Sequence, residues 1–161
     1  MPWLGVEAPE IEGTTDPYAG ASRSCWAIFS EVCAKDYGDY RYPAVHRLIV
    51  DAYMAQHPNF STPAGRRSIA VHLVGLYCLL EEGLSAKDAG RAMGAVFPDK
   101  RDTPAFEPTP WLGEVTIASL HSAKDLSEHQ DRAMLLARAV WRAWGPYHPQ
   151  VKQLRLGAIA R

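Results

Sequence analysis

The chain has 161 residues, 47% of them hydrophobic and 22% charged, with a net charge of −1. This suits one helical domain over 1–161 with a real core, and the scattered basic residues give no footprint for nucleic acid or an anionic membrane. No segment reaches the roughly 20 apolar residues of a bilayer crossing, no basic-then-apolar leader opens the chain, and Cys25, Cys33 and Cys78, without a Cys-x-x-Cys pair, suit reduced thiols in a cytoplasmic protein.

Residues 1–23 carry Pro2, Gly5, Pro9, Gly13, Pro17 and Gly20 and read as an irregular arm laid on the core. Ser24 is placed to cap a first helix over about 25–37, with Trp26, Phe29, Val32 and Cys33 inward. A second helix spans about 42–57, with Pro43 in its first turn and Pro58 beyond its end. Its apolar stripe is Val45, Leu48, Ile49 and Ala52, joined by Gln56. His46, Tyr53 and His57 form a second line beside the stripe, while Arg47 and Asp51 make an i, i+4 pair on the far flank.

The third helix, about 66–82, is apolar on nearly every side and is expected to be the central, buried one, closed by Gly83. Ser85 and Asp88 form a capping box for a short helix to about Val96. Residues 97–113 hold Pro98, Pro104, Pro108 and Pro110 and read as a long connection. One or two helical turns follow over 116–123. Ser127 with Gln130 reads as a second capping box, opening a helix to about Trp144 with Ala133, Leu136, Ala137, Val140 and Trp144 as its stripe. Gly145-Pro146 breaks it, and a tail helix spans about 149–156. No alternating strand pattern or internal repeat is visible. The fold class is therefore all-α, a bundle of about four main helices with shorter additions.

His72 is the sharpest single candidate for chemistry. It sits in the most apolar helix, on one line with Ser68, Gly75 and Leu79. Burying an imidazole costs free energy unless it is hydrogen-bonded or metal-bound. Gly75 has no side chain, so a neighbouring helix or a ligand can approach there. A bond to a carboxylate or carbonyl is the plain alternative to a ligand role. If the second and third helices form a hairpin, His72 is level with about Ala52. His57 then lies about 7 Å away along the axis, with Tyr53 and Asp51 nearer. His57 and His72 are thus expected at a common pocket, with Asp51 or Tyr53 helping and His148 as the third imidazole of a divalent metal site such as zinc. Tyr53, Gln56, Ser68 and Trp144 are the expected ligand-binding residues. His46 and His57 are too far apart on one helix, about 16 Å, to share one ion. His121 and His129 read as exposed or capping. Trp141, Trp144 and Tyr147 suggest an aromatic wall, which at helical spacing is ordinarily core. No Gly-x-Ser-x-Gly elbow, His-Glu-x-x-His pair or phosphate-binding glycine loop is present.

Several segments carry a resemblance: Gly13-Thr14-Thr15-Asp16-Pro17-Tyr18-Ala19-Gly20-Ala21-Ser22-Arg23-Ser24-Cys25-Trp26, Val45-His46-Arg47-Leu48 through Gln56-His57-Pro58, Ser68 to Leu73, and Val140-Trp141-Arg142-Ala143-Trp144. On these the chain resembles a bacterial family known as a domain of unknown function, over nearly its whole length. The resemblance brings no activity and no catalytic roles. Many members open with a Cys-Pro-x-Cys-Gly knuckle. Here the start is Met1-Pro2-Trp3-Leu4-Gly5, so any zinc held by that knuckle is lost.

Two functions follow as expectations. The first is a small protein whose His-lined pocket binds a metal or small ligand, with metal-dependent hydrolysis as the natural chemistry if a coordination position stays open. The second is a non-enzymatic interaction or homodimerisation module whose polar residues only fix helix packing.

Overall fold

Helix caps divide the chain much as its turn residues suggest. A computed structural model describes residues 19–38, 43–98, 104, 106–107, 109 and 112–159. Among them lie seven α-helices: α1 Arg23–Gly38, α2 Pro43–Gln56, α3 Pro63–Leu80, α4 Ala86–Val96, α5 Ile117–His121, α6 Leu126–Ala143 and α7 His148–Ile159. A 3-10 turn, Gly145–Tyr147, joins α6 to α7. The fold is all-α, and the described residues hold only an isolated bridge between Ala19 and Pro58 in place of a strand. The arm expected over 1–23 lies mostly outside the described residues, as does much of the connection expected over 97–113.

Several termini are set by short polar side chains. Ser22 Oγ accepts from the Cys25 N–H at 3.2 Å, so α1 is capped two residues before Ser24. Thr62 caps α3 by accepting from Gly65 N, and Pro63 occupies the first turn, so α3 begins three residues before the expected Arg66. Ser85 caps α4 as read, accepting from Asp88 N and donating to its carboxylate. The expected Ser127 cap of α6 is displaced. Asp125 takes that place, accepting from Glu128 N at 2.9 Å, while Glu128 reaches back to Lys124 N at 2.7 Å. An aspartate cap, with a glutamate three residues on that reaches back to the residue before the cap, closes this end of α6 instead of serine.

Two helices share the centre. α3 packs against α2, α4, α6 and α7, and Ile69, Ala70, Leu73, Val74, Leu76 and Cys78 are buried along it. α2 is as deeply enclosed, because α1, α3, α4 and α6 all lie against it. Every residue from Asp51 to His57 is buried, Asp51, Gln56 and His57 included. The sequence points to α3 as the central, buried helix because it is apolar on nearly every side, whereas α2 carries a polar line beside its apolar stripe. Those polar residues are instead bonded inside the bundle.

Candidate functional site

Three polar groups tie α2 and its C-terminal end to different neighbours. Asp51 faces α3. Its Oδ1 accepts from His72 Nδ1 at 2.7 Å, and its Oδ2 from Arg47 Nε at 3.1 Å. The carboxylate side chain is wholly buried, whereas the His72 and Arg47 side chains are 15% and 33% exposed. Gly75 makes this possible: a Cβ there would lie 2.3 Å from Asp51 Oδ2. The glycine does open space beside His72, and a carboxylate fills it. Arg47 also contacts Met93 Sδ of α4.

A second buried carboxylate, Asp36 of α1, ties three helices. Its Oδ2 accepts from His46 Nδ1 of α2 at 2.8 Å and its Oδ1 from His129 Nε2 of α6 at 2.9 Å. His129, expected as exposed or capping, is therefore a buried core ligand of a carboxylate. Charge-assisted bonds of this kind offset the cost of sealing an aspartate from water.

The third anchor is His57, on the α1 side. Its Nδ1 lies 3.0 Å from the Tyr53 carbonyl, which can only accept, so Nδ1 carries the proton. Nε2 is then the acceptor for the Cys25 thiol at 3.4 Å, and Tyr53 donates its hydroxyl to Cys25 Sγ at 3.4 Å. The Tyr53 ring is stacked between His57 and Phe29. Burial pulls His57 down to about 4, only partly offset by its bond to the Tyr53 carbonyl. Burial also raises the Cys25 thiol, against the Tyr53 bond. Both groups are thus neutral near pH 7, the reverse of a thiolate–imidazolium nucleophile.

The three imidazoles expected to share a pocket have separate partners. His72 meets Asp51, His57 meets Cys25 and Tyr53, and His148 stacks on Trp141 at 3.8 Å while donating to its carbonyl at 2.7 Å. The level expected of the hairpin matches, since His72 bonds to Asp51. The side does not: the Arg47–Asp51 flank, and not the Tyr53–His57 line, meets His72. Asp51 and His57 are six residues apart on α2 and project about 120° from one another, toward different helices. Among the described residues no three or more His, Cys, Asp or Glu side chains gather as a metal-binding group. Of the expected ligand residues, Tyr53 and Trp144 are fully buried, with Trp144 Nε1 donating to the Ala55 carbonyl at 3.0 Å. Gln56 is buried and donates to the Leu112 and Val115 carbonyls. Ser68 is half-buried, one turn before His72 on the same side of α3.

Asp36, His46 and His129 were missed as a cluster. A signal existed: Asp36 continues the Phe29–Val32 stripe of α1, and His129 lies four residues before Ala133 on the stripe of α6. A polar residue on an apolar stripe calls for a buried partner.

Among these groups, His72 stands apart. Its Nε2 has no hydrogen-bond partner among the described residues, yet the one sealed side-chain nitrogen or oxygen without a partner there is Gln56 Oε1. Nε2 is therefore not sealed, on a side chain that is 15% exposed, while Nδ1 is locked on a buried carboxylate.

The model of a family of unknown function, DUF5946, matches residues 5–145. The chain belongs to that family. The DUF5946 match takes in both carboxylate clusters and the Cys25–His57–Tyr53 group, and it stops before α7. Comparison with curated proteins and with solved structures gave no match. No helix among the described residues is long and apolar enough to cross a membrane.

Proposed function

We propose that this DUF5946 protein binds a small organic ligand at the face shared by α2, α3 and α4, with His72 as its acid–base group. The observation that carries the reading is a sealed carboxylate behind an imidazole whose outer nitrogen is open. Asp51 accepts the Nδ1 proton and so fixes the tautomer, leaving the lone pair of the neutral ring on Nε2. An oriented imidazole of this kind takes a proton from a bound group within hydrogen-bond reach and returns it later.

Arg47 is anchored to the same carboxylate through Nε, and its side chain is one-third exposed. Its remaining N–H groups suit an oxygen acceptor on the ligand. Ser68 adds a hydroxyl one turn along α3. The ligand class that fits is a small molecule with a removable proton next to a carbonyl or carboxylate oxygen. The site is close to neutral when Asp51 is ionised and Arg47 charged, so a single negative charge on the ligand is tolerated and a multiply charged one is not favoured. A cytoplasmic setting is supported by Cys25, Cys33 and Cys78, all free thiols.

Ligand-observed NMR against a panel of small carboxylic acids, hydroxy acids, amides and alcohols tests this. Hits should lose at least about tenfold in affinity in His72→Gln, about 1.4 kcal/mol. They should be unchanged in Leu135→Ala, a surface change on α6. A panel without any hit that depends on His72 overturns the proposal.

A further inference from the structure

Gln56 lies at the end of α2 and is 1% exposed. Its amide nitrogen donates to two backbone carbonyls, Val115 O at 2.7 Å and Leu112 O at 3.2 Å. Both amide hydrogens are therefore used. The amide oxygen has no partner and is the one such sealed side-chain atom among the described residues. Turning the amide over does not relieve this, because Oε1 would then face two carbonyl oxygens. An orphaned buried acceptor costs about 1–3 kcal/mol, and proteins ordinarily meet it with an ordered solvent molecule.

We infer that an internal water molecule is bound at Gln56 Oε1, between the end of α2 and the Leu112–Val115 segment. The water donates one hydrogen to Oε1. Its second hydrogen needs an acceptor, and the Leu112 and Val115 carbonyls each keep a lone pair beyond the bond to Nε2. The pattern suits a small donor such as water: one open acceptor in a sealed region, with two carbonyls on the neighbouring amide nitrogen. Gly113 lies within the same segment at φ +100, so the backbone turns there in a way that favours glycine and presents the carbonyls on either side of it to one amide. The segment preceding α5 is in this way fastened to α2 by a solvent-bridged clasp rather than by side-chain packing alone.

A crystal structure of the full chain at about 1.6 Å resolution or better tests the inference. One solvent peak is expected about 2.5–3.0 Å from Gln56 Oε1. In solution, the Gln56 side-chain amide of the ¹⁵N-labelled chain should show a cross-relaxation peak at the water frequency. The inference is overturned if the density at Oε1 is empty. It is equally overturned if a protein N–H or O–H occupies that position, or if the amide shows no contact with long-lived water.

Discussion

Replacing Gly75 with alanine adds one methyl group in the middle of α3. In an ordinary helix the change stabilises by about 0.5–1 kcal/mol, because glycine is the poorer helix former. Here the new Cβ would stand 2.3 Å from Asp51 Oδ2 and 2.7 Å from its Cγ. Ordinary contact begins about 1 Å further out, so the carboxylate must withdraw by roughly that much. It is held at 2.7 Å by His72 and at 3.1 Å by Arg47, and neither bond survives such a shift intact. Overpacking costs about 1–3 kcal/mol, and weakening one bond to a buried charge adds about 1.5–3 kcal/mol. After the helix-propensity gain, the expected net loss is about 2–5 kcal/mol. Urea unfolding followed by circular dichroism measures it. In an Asp51→Ala background the methyl has room, so the two changes should couple by about 2 kcal/mol or more. A Gly75→Ala chain as stable as the parent, or more so, would refute the close approach of Asp51 and the site built on it.

Acidification should weaken the fold through His57. Its folded value is about 4 against an ordinary 6.5, so between these the unfolded chain binds the proton that the folded chain refuses. That part of the stability is complete above about pH 6.5 and fades as pH falls toward about 4, by up to about 3 kcal/mol. Unfolding free energies across that range should be flatter in His57→Gln. Leu76 is wholly buried on α3, and Leu76→Ala should cost about 2–5 kcal/mol in the same assay; a change under about 0.5 kcal/mol would place it at the surface. Burial, with Asp36 adding to it, lifts Cys33 to about 12, and burial with Glu82 lifts Cys78 to about 11. Together with raised, buried Cys25, they should react with a maleimide at pH 7.5 far more slowly in the folded chain than in urea. Fast labelling of any of the three in the folded chain would contradict the packing around it.

The helices were legible because their signals are local: an apolar line at helical spacing, a cap, a breaker. The errors at their ends are local too. Thr62-Pro63 starts α3 before its apolar run begins, and Asp125 outcompetes Ser127 because a carboxylate caps as well as a hydroxyl. The candidate site was half legible. The Arg47–Asp51 pair and the opening at Gly75 were both read, and the hairpin put His72 at the right level. What failed was the choice of side. Spacing gives a residue's angle about its own helix axis, but not the rotation of that helix against its neighbours. Asp51 and the Tyr53–His57 line were equally available to α3 until packing turned Asp51 inward. The Asp36–His46–His129 cluster needs three helices brought together from positions up to 93 residues apart, and no local pattern carries that.

The most direct test of the central claim is residue-resolved modification of the histidines by diethyl pyrocarbonate, which reacts at an exposed, unprotonated imidazole nitrogen. With peptide mapping by mass spectrometry, His72 should be modified readily alongside exposed His121, while buried His57 and His129 stay protected. Asp51→Asn should change the rate at His72 and leave that at His121 as it was. If His72 is as protected as His57 in the folded chain, its outer nitrogen is not open, and the acid–base site does not exist.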